Sequence, residues 1–118
     1  MTFTWPTFLD LAEDLLLDDE AARRTAVSRA YYAVFHAARR RRARDLGFES
    51  TRTVGHQDLW EHFKKSAATK QLGFSGERLL KRRQKADYDL SPAWDMPNAR
   101  AAVNDARRLL RELEVMDR

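Results

Sequence analysis

The sequence predicts an all-α fold: one domain over residues 1–118, an up-and-down bundle of about five helices with one long central helix. Three observations carry that expectation. Apolar residues recur at the 3.6-residue helical period in five separate segments, and no segment alternates convincingly with period two. The chain has only four Gly and three Pro, while Ala, Leu, Arg and Glu are abundant, which favours helices joined by short connections. Its 118 residues, 43% of them hydrophobic, suffice for one buried core and leave little room for a second.

Phe8, Leu11, Ala12, Leu15 and Leu16 place a first helix at about Pro6 to Leu17, with Thr4 as its cap and Pro6 in its first turn. Asp18 or Asp19 caps a second helix whose first turn is acidic. That helix runs to about Leu46, where Gly47 offers a left-handed stop. At about 27 residues and 1.5 Å per residue it is about 40 Å long, the spine of the domain. The segment Gly47 to Gly55 is expected to be a loop. A third helix follows, with His56, Leu59, Trp60, Phe63 and Ala67 on one face. Gln71 to Gly76 interrupts the pattern, and Ser75 is placed to cap a fourth helix with Leu79, Leu80, Arg83, Ala86 and Leu90 on one stripe. After a break at Ser91 to Pro97, Asp95 caps a fifth helix that carries Ala99, Ala102, Val103, Ala106, Leu109, Leu110 and Leu113.

Several function classes are excluded by what the chain lacks. Without Cys there is no disulfide, thiol nucleophile or thiolate metal site. The three His and the carboxylates have no metal-ligand spacing, and there is neither a Gly-rich phosphate loop nor a Gly-x-Ser-x-Gly elbow. No metal and no cofactor are therefore expected. The N-terminal stretch has no basic region before its apolar residues, unlike a signal peptide, and no apolar run approaches the ~18 residues that span a membrane. A soluble, cytoplasmic protein is the expectation.

The net charge is +4, and its distribution is more informative than its size. Acidic residues are dense from Asp10 to Glu20. Arg23, Arg24, Arg29, Arg39 to Arg42 and Arg44 follow, and Lys81, Arg82, Arg83 and Lys85 form a second basic cluster. Segregated charge dominated by arginine points to a phosphate-bearing partner, RNA or a nucleotide.

The long helix holds the densest candidate site. With Arg29 at 0° and about 100° per residue, Val27, Tyr31, Val34, Phe35 and Ala38 fall on an arc between about 140° and 240° that should face the core. Thr25, Arg29, Tyr32, Ala33, His36 and Arg40 fall within about 60° of zero, on the opposite face. Arg29 and His36 are two turns, about 10.5 Å, apart along the axis, with Tyr32 between them. A guanidinium holds a phosphate and stabilises charge developing on it, and a histidine exchanges protons near neutrality. Those two services are what cleavage of RNA by its own 2′-hydroxyl requires, and a tyrosine adds stacking. At 10.5 Å the pair cannot act as one tight unit, so the phosphate sits between them or a second subunit completes the site.

The stretch SRAYYAVFHAAR, Ser28 to Arg39, resembles the second-helix signature of HEPN domains, in particular small stand-alone prokaryotic members of the form Ser-Arg-x-Tyr-Tyr-Ala-x-Phe. KRRQKADYDL, Lys81 to Leu90, is similar to the Arg-x-x-Ala-Asp-Tyr block such proteins carry on a later helix. The resemblance implies an all-α bundle, usually a homodimer, often encoded beside a small nucleotidyltransferase. Many members are metal-independent endoribonucleases whose site is an Arg followed by four to six residues and a His, contributed by both subunits to a cleft at the dimer interface. Arg29 and His36, with six residues between them, fit that spacing. In many catalytic members the pair lies on the later helix, and here no histidine follows Arg83.

Two readings follow. In the first, the chain is an endoribonuclease of toxin–antitoxin or defence type, with Arg29 and His36 catalytic and Tyr32, Arg40 and Arg83 holding RNA. In the second, it is a non-catalytic module that binds RNA, a nucleotide or a partner nucleotidyltransferase through the same face. Arg83 and Asp87, one turn apart, then form either an ion pair or a phosphate ligand with its orienting partner.

Overall fold

Helix signals in the sequence resolve into α1 (Trp5–Asp14), α2 (Glu20–Leu46), α3 (His56–Lys64), α4 (Lys70–Tyr88) and α5 (Met96–Met116). These elements belong to a computed structural model that describes residues 4–47, 55–89 and 94–116, among which there is no strand. The expected loop at 48–54, the break at 91–93 and the place of Leu90 on the fourth helix's stripe lie outside the described residues.

The long helix begins and ends where its sequence dictates. Asp19 is the N-cap of α2, its carboxylate accepting from the Ala21 amide at 2.9 Å. At the other end Gly47 adopts φ 74°, ψ 26°, a left-handed conformation that costs a residue with a Cβ about 1–2 kcal/mol. Asp95 likewise accepts from the Asn98 amide at the start of α5, with Pro97 in the first turn.

Three boundaries differ from the periodicity. α1 stops at Asp14 instead of Leu17, because the chain must turn into the Asp19 cap, and Arg23 Nη1 holds the Leu17 carbonyl of that turn at 2.9 Å. α3 stops at Lys64, and Ala67 sits exposed in the turn that follows. There the Thr69 hydroxyl donates to the Phe63 carbonyl. α4 begins at Lys70, so Ser75 is not a cap, and the helix runs straight through Gly73 and Gly76. Those glycines are sites of close approach and not breaks. A Cβ at Gly73 would stand 2.8 Å from the Trp60 carbonyl, and one at Gly76 would fall against the Trp60 ring. Glycine lowers helix propensity by about 1 kcal/mol, but here it lets α3 and α4 pack along a seam filled by Trp60.

α2 is enclosed on most sides. Ala26, Val27, Ala30, Tyr31, Ala33, Val34 and Ala38 are all fully buried, a much wider arc than one apolar stripe, and the alanines leave room for several neighbours. α4 runs antiparallel to α2, since the α4 C-terminus meets Arg24 while Arg83, further back, meets Tyr32. α5 runs parallel to α2, with Arg23 bonded to the Trp94 carbonyl and Arg41 to the Met116 carbonyl. α1 is antiparallel to α2, placing Trp5 on His36 and Phe8 on Arg29. Arg107 then pairs with Glu13 at 2.8 Å and Asp10 at 3.2 Å, joining α5 to α1. None of the helices among the described residues is long and apolar enough to cross a membrane.

Candidate functional site

The two motif-bearing stretches face each other over Ser28–Tyr32 and Arg83–Asp87. Ser28 and Tyr32 lie one turn apart on α2, as Arg83 and Asp87 do on α4, and the antiparallel packing matches the pairs crosswise. Arg83 is only 7% exposed. Its Nη2 donates to Tyr32 Oη at 2.7 Å, and its Nε lies 3.5 Å from Asp87 Oδ2. The Ser28 hydroxyl donates to the same carboxylate oxygen at 3.3 Å. Around the guanidinium stand Tyr32, Tyr31 and Tyr88, with ring centroids 5.1, 5.7 and 5.8 Å from its carbon. A buried cation is costly unless paired, and here a carboxylate, a hydroxyl and three aromatic faces share that task. Of the two roles open to Arg83 and Asp87, the geometry provides the ion pair. Arg83 is turned inward, so it does not present its guanidinium openly to a ligand.

Behind this cluster runs a hydrogen-bond chain. Trp60 Nε1 donates to Tyr31 Oη at 3.2 Å, and Tyr31 Oη lies 2.7 Å from His56 Nδ1. The Tyr31 oxygen accepts from the indole N–H, and its bond to the imidazole takes the direction set by the His56 tautomer. Burial pushes the Tyr31 hydroxyl far above its ordinary pKa, and the Trp60 bond and the Arg83 charge do not offset that. Burial, with Arg83 nearby, lowers His56 below the usual histidine value. Both groups are therefore neutral near pH 7. His62, on another face of α3, pairs with Asp45 at 3.1 Å.

The line Arg29, Tyr32, His36, Arg40 exists, but α1 lies across part of it. Ala33, expected to face outward, is completely buried. The Trp5 ring stacks on His36 with centroids 4.4 Å apart and planes 14° from parallel. The Arg29 guanidinium stands 5.9 Å from the Phe8 ring centroid, while Arg29 itself remains exposed. His36 is half-buried between Trp5 and Tyr32, whose ring is 6.0 Å away, and its Nδ1 is buried without a hydrogen-bond partner. Burial lowers its pKa, and the Arg39 charge and His56 add to that. Tyr32 is half-buried, its hydroxyl occupied by Arg83, and Arg40 is exposed.

Much of the arginine density serves the fold. Arg24 Nη1 donates to the carbonyls of Lys85, Ala86 and Asp89 at 3.2, 2.9 and 2.6 Å, satisfying the open C-terminus of α4. Arg23 and Arg41 hold carbonyls at the two ends of α5, and Arg82 pairs with Asp105 at 2.7 Å. Arg29, Arg40, Lys81 and Lys85 are exposed and form no ion pair with a carboxylate among the described residues.

The sequence pattern did not single out Ser28, Trp5 or Phe8 as neighbours of the site. The available signal was the spacing of Trp5 and Phe8, one turn apart on a short helix whose aromatic face needs something to cover. Among the described residues no group of three or more His, Asp and Glu is placed to hold a metal ion. No protein-family model matches this chain, and comparison with curated proteins and with solved structures found no match.

Proposed function

We propose that the chain is an HEPN-type, RNA-acting cytoplasmic protein of the toxin–antitoxin or defence kind, cleaving RNA without a metal. In this reading His36 exchanges a proton with the reacting 2′-hydroxyl or leaving oxygen, and Arg29 binds the phosphate. Arg40 and the basic surface of α4 hold the strand, and a second copy of the chain completes the cleft. The observation that carries the proposal is the state of His36. Its ring stacks on Trp5 and is kept neutral by burial and by Arg39, as a base acting near pH 7 requires. The meeting of the two HEPN-like blocks at Arg83 and Tyr32 supports the resemblance on which the reading rests.

A second reading draws on a different observation. No hydrogen bond joins Arg29 to His36 among the described residues, and Arg83 is committed to Tyr32 and Asp87. A non-catalytic module that binds RNA, a nucleotide or a partner nucleotidyltransferase needs only the exposed basic surface. Incubation of several RNAs and tRNAs in EDTA with wild-type protein and with His36→Gln separates the two. Cleavage that is lost in a folded His36→Gln variant supports the enzyme, and an uncleaved set of RNAs leaves the binding module. Light scattering that finds a monomer at micromolar concentration removes the shared cleft.

A further inference from the structure

Tyr88 is the last residue of α4 and is 77% exposed, far more than Tyr31 or Tyr32. It borders an open concavity of about 390 Å³ whose other walls are Lys81, Gln84, Lys85 and Asp89, at the lower end of the range for small-ligand sites, about 300–1,000 Å³. An aromatic ring left this open is costly to hydrate, yet its surroundings hold it in place. Arg24 grips the carbonyls of Lys85, Ala86 and Asp89 on either side of it. The Arg83 guanidinium lies 5.8 Å from its ring centroid. The same guanidinium bonds Tyr32, so the concavity adjoins the cluster described above.

We propose that this concavity is a nucleotide subsite for single-stranded RNA, in which one base stacks on Tyr88 and the flanking phosphates lie on Lys81 and Lys85. The inference rests on the RNA-acting reading and extends it to a second face of the protein. Stacking on an anchored tyrosine accepts any base, and lysines on one side of the ring follow a backbone as single-strand binders require. Gln84 can donate to or accept from a base edge.

The test is fluorescence anisotropy with 5′-labelled oligouridylate and oligoadenylate ten-mers, between 50 and 200 mM salt. Tyr88→Ala should weaken binding by about fivefold or more, as loss of one stacked base does, while Tyr88→Phe binds like wild type. Lys81→Gln and Lys85→Gln should each flatten the salt dependence by about 0.7 in logarithmic slope. Circular dichroism should show all four variants folded, since these side chains are exposed. If Tyr88→Ala binds within twofold of wild type while Arg40→Gln weakens binding, the subsite is wrong and the RNA-acting reading survives. If the wild-type protein binds neither oligomer at 50 mM salt, both fall together.

Discussion

Arg83 of α4, itself buried, donates to the hydroxyl of the half-buried Tyr32 of α2 at 2.7 Å. That bond joins residues 51 positions apart in the chain and brings together the two motif-bearing stretches of the sequence. Tyr32→Phe removes the acceptor and leaves a buried guanidinium short of one partner, a loss of about 1–3 kcal/mol. Urea denaturation should show this as a lower midpoint with an unchanged slope. In Arg83→Met the same Tyr32→Phe change should cost much less, because the donor that needed the hydroxyl is gone.

Gly76→Ala is a substitution for which helix propensity and packing predict opposite signs. Alanine favours an isolated helix by about 1 kcal/mol, but its methyl group would fall against the Trp60 ring. Trp60 is fully buried and has little room to retreat, so overpacking should prevail and destabilise the protein by about 1–3 kcal/mol. Thermal unfolding of Gly76→Ala against wild type decides the sign. An increase in Tm would mean that the α3–α4 seam is looser than described.

The arginines of α2 should divide into two groups. Arg24→Ala opens three carbonyls at the end of α4 and should cost about 1.5–3 kcal/mol of stability, as hydrogen bonds to charged groups do. Arg40→Ala, at an exposed position, should change stability by less than about 0.5 kcal/mol. For RNA binding the order is reversed: loss of the Arg40 charge should lower the salt slope by about 0.7. Chemical denaturation and salt titration on the two variants give four numbers that check the division.

Acid should weaken the fold by forcing protons onto two half-buried histidines. His36 and His56 both have folded pKa values below the ordinary 6.5, so the unfolded chain binds protons that the native protein refuses. Stability is then fully present above about pH 6.5 and falls as pH drops through that value, by at most about 1.4 kcal/mol per pH unit for each histidine. For His56 the structural reason is direct. Protonated His56 carries a hydrogen on both ring nitrogens, so its Nδ1 can no longer accept from the Tyr31 hydroxyl. Urea midpoints at pH 7.5 and 5.5 should fall in wild type and flatten in the His36→Gln, His56→Gln double variant. A midpoint that rises on acidification would contradict the assignment.

How much of this was legible in the sequence depends on range. Helix identity and the Gly47 and Asp95 signals are local chemistry, so they could be read directly, as could an acidic cap at Asp18 or Asp19 and the one-turn spacing of Arg83 and Asp87. Gly73 and Gly76 misled because a glycine's meaning depends on what approaches it, and Trp60 comes from another helix. The helical wheel placed Arg29, Tyr32, His36 and Arg40 on one line but treated the far side of α2 as solvent. Only the packing of Trp5 on His36 shows that part of this line is covered, while Arg29 beside Phe8 stays exposed. The arginine clusters were ambiguous for the same reason, since a backbone carbonyl at a distant helix end leaves no mark in the local sequence.

The enclosure of α2 also has a consequence during synthesis. Its flank against α5 stays uncovered until residues 96–116 have been made, 50 or more positions after Leu46. At about 5–20 residues per second, finishing the 70 residues from Leu46 to Met116 takes about 4–14 s. The α3–α4 hairpin can close within that interval on its own short turn. The apolar side of the longest helix must wait for α5, so the core closes only when synthesis is nearly finished.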